Sequence, residues 1–175
     1  MKKIFFVLFA LALSFAAKAQ TSKGKMMIGG NASFSNQSAP GYTSSVAYAI
    51  PSFGYFVRDR LAVGLGLNYS YASSPNTPVT TSWAFAPYVR YYKYTSNDKF
   101  AFIAQASFGY TPQNNGYEAA YSFALHPGFV YFFTEHWGLD LELNGFEIST
   151  SANISQYSLS TILSPILGFR YYFGK

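Results

Sequence analysis

Strict alternation near the end of the chain most constrains its fold. From residue 157 to 173, every second position is mainly large and apolar: Tyr157, Leu159, Thr161, Leu163, Pro165, Leu167, Phe169, Tyr171 and Phe173. The residues between them are mostly small or polar, as at Ser158, Gly168 and Arg170. Successive side chains of a β-strand point to opposite faces, so this pattern predicts a strand with one apolar face.

The start of the chain predicts export. Two lysines precede an apolar run over residues 4–17, which ends in the small-x-small sequence Ala17-Lys18-Ala19. This three-part pattern predicts a signal peptide of residues 1–19, cleaved before Gln20. A membrane-spanning helix is the alternative, but the run is interrupted by Ser14 and is shorter than the roughly 20 residues that a span needs. In an exported chain, the best environment for an apolar strand face is lipid.

The composition favours a membrane protein over a soluble one. Charged residues make up 11% of the chain and aromatic residues 21%, whereas a soluble domain carries about 25% charged residues. Residues 1–19 contain three lysines and no acid, which leaves nine basic against seven acidic residues after cleavage. So small an excess argues against a nucleic-acid partner. The absence of cysteine excludes disulfides, thiolate metal sites and a lipoprotein anchor.

Period-2 alternation between turn-rich breaks predicts eight strands, each long enough to cross a membrane at a tilt. Their approximate bounds are 25–35, 45–57, 61–71, 81–94, 100–110, 119–133, 137–144 and 157–173. Strand two has apolar residues in both registers, which leaves its faces unassigned. A bulge near Pro51 is one explanation, because proline cannot donate to the ladder.

The connections alternate between short and long. Short polar turns at 57–60, 95–98 and 134–136 separate longer stretches at 36–44, 73–80, 111–118 and 149–156. Outer-membrane barrels have short turns on the periplasmic side and longer loops outside. The sequence therefore predicts an all-β fold: an eight-stranded antiparallel transmembrane β-barrel over residues 20–175, with both termini in the periplasm.

Aromatic residues fall at both ends of the predicted strands, where they would form the girdles of a membrane barrel. The alternative is that β-proteins are simply rich in aromatic residues. The predicted girdle beside the short turns contains Tyr91, Tyr131, Phe133, Trp137, Tyr171 and Phe173, and the one beside the long loops contains Tyr69, Tyr71, Trp83, Tyr110 and Tyr121.

Two segments resemble the small OmpA/OmpX-like outer-membrane barrels, particularly the short versions of Bacteroidetes-type bacteria. Residues 55–64 (YFVRDRLAVG) resemble a strand-turn-strand of that family, and residues 169–173 (FRYYF) resemble its closing strand. The resemblance implies two partners: outer-membrane lipid, and the barrel-insertion machinery that reads the last aromatic strand. The chain departs from many members because Gly174 and Lys175 follow Phe173. We expect no peptidoglycan-binding domain of the kind that longer relatives carry.

Four charged residues fall in the inward register at a common depth: Arg90, Asp140, Glu142 and Arg170. We expect Arg170 to meet Asp140 or Glu142, and Arg90 to reach them from the opposite wall. Eight strands leave a lumen just wide enough for side chains, so the expected role is a structural plug. A gate or an ion path is the alternative.

The sequence offers little support for catalysis. Two families of barrels of this size, resembling PagP (acyltransferase) and PagL (deacylase), are lipid-modifying enzymes. We therefore considered His126 as a general base and Ser122 as a nucleophile. His126 is expected to point into the lumen, with no dyad and no orienting carboxylate at its depth. The two histidines are far apart and no glycine-rich loop precedes a helix, so neither a metal ion nor a cofactor is expected.

The leading hypothesis is a non-enzymatic outer-membrane barrel with a plugged lumen. Its role would be structural support of the membrane or surface interaction with an extracellular ligand through loops 36–44, 73–80, 111–118 and 149–156. The alternatives are a lipid-modifying enzyme, which needs serine and histidine together on the lipid-facing side, and a narrow pore.

Overall fold

The computed structural model describes residues 20–39, 42–75, 77–112, 119–143, 145–151, 154–159 and 166–174. The predicted signal peptide lies outside these residues. The strands are β1 (Met26–Ala39), β2 (Tyr42–Arg58), β3 (Leu61–Ser73), β4 (Thr80–Tyr94), β5 (Phe100–Thr111), β6 (Ala120–Phe132), β7 (Trp137–Glu142), β8 (Phe146–Ser151), β9 (Ile154–Leu159) and β10 (Ile166–Phe173). Across the described ranges, no helix has the length and apolarity that crossing a membrane requires.

The strands close into one antiparallel barrel. Pairing runs β5-β4-β3-β2-β1-β10-β7-β6, and a further β5–β6 pairing completes the ring. The first and last strands meet from Met26↔Phe173 to Asn31↔Gly168. β8 continues strand seven along β6, and β9, which pairs with β8, counts with β10 as strand eight, so the ten segments make eight strands. The predicted eight-stranded antiparallel barrel is confirmed.

Each strand sends alternate side chains to the lumen and to the outer wall. On β4, Trp83, Phe85 and Val89 are exposed, whereas Tyr88 and Arg90 are buried. The outward apolar side chains are exposed because lipid is their environment.

The faces of strand two, which the sequence left open, are now assigned. Ser52 and Phe56 are buried in the lumen, while Phe53 and Tyr55 are exposed. The pairing register stays constant from Ser45 to Phe56, and the shift lies between Phe56 and Arg58. A bulge near Pro51, which was one explanation of the pattern, is therefore absent. Pro51 pairs with Gly30 in the unbroken β1–β2 ladder.

Strand seven contains an irregularity that the sequence pattern did not predict. β7 pairs with residues 128–132 of β6, and β8 pairs with residues 121–125. Between them, Leu143 N donates to the Pro127 carbonyl oxygen at 2.8 Å. One extra residue on the β7–β8 side shifts the alternation, as expected of a β-bulge.

Two predicted loops are largely strand. The 36–44 loop is wrong because β1 and β2 stay paired up to Ala39↔Tyr42. The 149–156 loop is wrong because β8 and β9 stay paired up to Ser151↔Ile154. Polar side chains suggested loops there, but ladder bonds come from the backbone and continue beyond the apolar band. A connection does lie between Ser73 and Thr80, while residues 113–118 and 160–165 fall outside the described part of the chain.

Candidate functional site

Four charged side chains converge in the lumen and form what we term the ion cluster: Arg90, Asp140, Glu142 and Arg170. Arg90 on β4 donates from Nη2 to Asp140 Oδ2 at 2.6 Å and from Nη1 to Glu142 Oε1 at 2.9 Å. Arg170 on β10 donates to the same two carboxylates, from Nε to Asp140 and from Nη2 to Glu142 Oε1 at 3.0 Å. The sequence predicted that Arg170 would meet Asp140 or Glu142, and in the structure it contacts both.

The ion cluster is sealed from solvent and electrically balanced. Arg90 and Asp140 are 0% exposed, and Glu142 and Arg170 are 5% and 3% exposed. Two neutral side chains provide further acceptors: Gln105 Oε1 accepts from Arg90 at 3.2 Å, and Ser52 Oγ accepts from Arg170 at 2.7 Å. Charges buried this deeply are tolerated only when paired and hydrogen-bonded.

On the short-turn side of the ion cluster, four rings fill the lumen: Phe56, Tyr92, Phe132 and Tyr172. We term them the aromatic layer. Ring centroids lie 5.6 Å apart for Phe56–Tyr92 and 5.3 Å apart for Phe132–Tyr172. The Arg90 guanidinium lies 5.4 Å from the Tyr92 ring centroid, a cation–π contact that joins the two layers. The alternation did not predict the aromatic layer as a unit, although each ring lies in the inward register close to a short turn or to the chain end.

The N-terminal strap, residues 20–25, lies beneath the aromatic layer. Gln20 Nε2 donates to the Thr134 carbonyl oxygen at 2.6 Å, and the hydroxyls of Thr21 and Tyr94 lie 3.0 Å apart. Gln20 and Thr21 are 2% and 1% exposed. Arg60, with a positive φ of 67°, donates its backbone N–H to the Thr21 carbonyl oxygen at 2.7 Å. The strap therefore joins three parts of the short-turn end: the turn between β6 and β7, the end of β4, and the turn between β2 and β3.

We expect Gln20→Ala to lower the free energy of unfolding by about 1–2 kcal/mol, because it leaves the Thr134 carbonyl without its donor. Urea titration of the refolded protein in detergent, followed by circular dichroism, measures the loss. Lys23→Ala is the matched control, since the side chain is exposed and its contact to Asp59 uses the backbone N–H. Equal stability of both variants would show that the strap does not brace the barrel.

On the opposite side of the ion cluster, the lumen holds a polar cavity of about 130 Å³. Its walls include Asn31, Asn68, Gln105 and His126. Asn31 Oδ1, Asn68 Oδ1 and His126 Nδ1 are buried there without a protein partner. A cavity of this size and polarity suits a few water molecules.

Ser122 and His126 do not form a dyad. Both lie on β6, four residues apart, so their Cα atoms are separated by roughly 13 Å, far beyond the reach of a nucleophile–base hydrogen bond. The other histidine, His136, lies beside Tyr171 with ring centroids 5.7 Å apart. Within the described ranges, no group of three or more His, Asp or Glu side chains is arranged to hold a metal ion.

The predicted girdle aromatics lie in two bands near the strand ends. On the long-loop side, the rings of Tyr69 and Trp83 are 4.5 Å apart. On the short-turn side, the rings of Trp137 and Tyr171 are 5.0 Å apart, and Tyr171 and Phe173 are stacked at 5.9 Å. Tyr71 of β3, Tyr91 of β4 and Tyr131 of β6 lie in outward registers, each within three residues of a strand end.

Comparisons with known proteins agree with this architecture. The crystal structure of the outer membrane protein OprG from Pseudomonas aeruginosa matches with a TM-score of 0.51 at 13% sequence identity, over 88% of this chain and 98% of that one. At this identity the likeness shows the fold alone. No curated protein matches the chain in sequence. Residues 5–173 match the family described as outer membrane protein beta-barrel domain. The chain therefore belongs to this family of β-barrels and resides in the bacterial outer membrane.

Proposed function

We propose that this protein is a non-enzymatic outer-membrane barrel with a plugged lumen, which supports the membrane and interacts with extracellular ligands through its long-loop end. The observation that carries the proposal is the ion cluster, in which each arginine contacts both carboxylates and all four side chains are at most 5% exposed. The aromatic layer and the N-terminal strap block the same lumen twice more. A solute path would need all three to move together.

The surface role rests on the long-loop end of the barrel. There the β1–β2 hairpin carries Phe34, 70% exposed in the outward register, and Tyr48, 51% exposed in the lumen register, among serine, asparagine and threonine residues. Exposed rings on a rigid ladder are suited to recognition, because aromatic side chains give contact area at low entropy cost. We propose that the short turns face the periplasm, which directs these hairpins outward.

Catalysis has weaker support. A lipid-modifying enzyme would need serine and histidine together on the outer wall. Of the two histidines, His126 points into the lumen and His136 lies in a short turn against Tyr171. The non-enzymatic proposal thus rests on geometry as well as on the family.

The Arg170→Ala variant separates a plug from a gate. We expect the free energy of unfolding to fall by about 2–3 kcal/mol, because Asp140 and Glu142 each lose one of two arginine partners. We also expect neither the parent protein nor Arg170→Ala to show steady conductance in a planar lipid bilayer, since the aromatic layer and the strap remain.

Arg58→Ala, which removes an exposed arginine at the end of β2, serves as the control and should melt like the parent protein. An unchanged melt of Arg170→Ala accompanied by new conductance would refute the plug and support a gate.

A further inference from the structure

Two small residues interrupt a row of large side chains on the apolar outer wall. On β5, the outward side chains Phe100, Phe102 and Phe108 are 40%, 60% and 47% exposed, but Ala104 and Ala106 lie between them. Together with the neighbouring strands they leave an apolar groove of about 320 Å³. We term this the lipid-side groove.

The strand register fixes the walls of the groove. Tyr91 of β4 and Pro127 of β6 flank Ala104, and Val89 and Leu125 flank Ala106 in the same way. The backbones of β4 and β6 are two strand spacings apart, about 9–10 Å. The groove is thus a narrow channel along one strand, bounded by large side chains at both ends.

A positive charge lies beside the short-turn end of the groove. Lys93 is exposed, stands two residues beyond Tyr91 in the same outward register, and pairs with Phe102. A lysine facing lipid is costly unless its ammonium group extends to the headgroup level. Tyr91 belongs to the aromatic girdle on this side, which marks that level.

We propose that the lipid-side groove binds one phosphate-bearing membrane lipid, with an acyl chain over Ala104 and Ala106 and its phosphate on the Lys93 ammonium. The apolar lining matches the chain, and the charge matches the headgroup. A second copy of the protein fits less well. A two-fold dimer centred on this face would bring two Lys93 side chains toward each other, and facing like charges are unfavourable.

Native mass spectrometry of the mature protein, released from micelles containing phosphatidylglycerol, tests the proposal. Ala104→Leu/Ala106→Leu fills the groove, and Lys93→Gln removes the charge. We expect each variant to retain about fivefold less bound phospholipid than the parent, a loss of about 1 kcal/mol of binding free energy. Controls are Ala47→Leu/Ala49→Leu, which adds the same volume on the outer wall of β2, and Lys99→Gln, which removes a charge from the β4–β5 turn.

A heat-dependent gel shift and a β-type circular dichroism spectrum first establish that every variant is folded. In a parallel arm, diacylglycerol with the same acyl chains replaces phosphatidylglycerol, and we expect it to bind weakly and without regard to Lys93. Full phospholipid retention by the groove-filled variant would overturn the proposal. So would equal retention of both lipids. Loss of a dimer in that variant, with lipid retention unchanged, would assign the groove to a second copy instead.

Discussion

Asp140→Ala is expected to lower the free energy of unfolding by about 3–5 kcal/mol, the largest effect of any single substitution in the ion cluster. Asp140 Oδ2 accepts from both Arg90 and Arg170. Without it, two buried guanidinium groups share Glu142 alone. A carboxylate left without a partner can bind a proton and become neutral, but a guanidinium cannot lose one. Removing an acid should therefore cost more than removing an arginine.

Urea unfolding in detergent or lipid vesicles, read by circular dichroism, gives the difference. Glu147→Ala is the control, because this carboxylate is exposed and lies five residues after Glu142 on the same barrel strand. We expect its stability to stay within about 0.5 kcal/mol of the parent protein. If Asp140→Ala cost no more than Glu147→Ala, the ion cluster would not be a structural plug.

Phe56→Ala is expected to cost about 3–5 kcal/mol, because it opens a cavity in the aromatic layer. Phe56 is 0% exposed and contacts both Tyr92 and Tyr172, with ring centroids 5.6 and 6.3 Å away. Eight surrounding strands cannot collapse into the gap without breaking their ladders. The same unfolding titration measures the loss.

Phe53→Ala is the matched control on the same strand. Phe53 lies three residues away and faces outward, 46% exposed. Lipid chains are about as apolar as the side chain they would replace, so lipid can fill the space that is left. We expect a clearly smaller loss than for Phe56→Ala. Equal losses would mean that the lumen rings pack no better than the outer wall.

Much of the fold could be predicted because period-2 alternation encodes the two faces of a strand. Strands three to six show this most clearly, where leucine, phenylalanine and tyrosine alternate with glycine, alanine and serine. The pattern is less informative where both faces meet water. The 36–44 and 149–156 segments are paired hairpins, yet their polar residues look like loop residues. The bulge after Glu142 was equally hidden, because only the registers of the β6–β7 and β6–β8 pairings reveal it.

The ion cluster could be located because charge is rare in this chain and all four residues share one register. Depth could be counted from the short turns, which brought the four side chains to one level. The network itself could not be derived, because whether Arg170 reaches one carboxylate or two depends on side-chain geometry. The N-terminal strap was invisible for a related reason. Gln20 and Thr21 look like ordinary residues of a polar terminus, and only the folded barrel gives them partners.

The N-terminal strap also constrains the order of assembly. Gln20 binds Thr134, which lies 114 residues later in the chain. The carbonyl oxygen that accepts this hydrogen bond is not in place until the turn between β6 and β7 has formed. Residues 20–25 are thus secured only after the chain has folded as far as β6, and their docking requires the turn between β6 and β7 to be in place. In a barrel that stalls with its later strands unpaired, residues 20–25 stay undocked, whereas in a finished barrel they are bound.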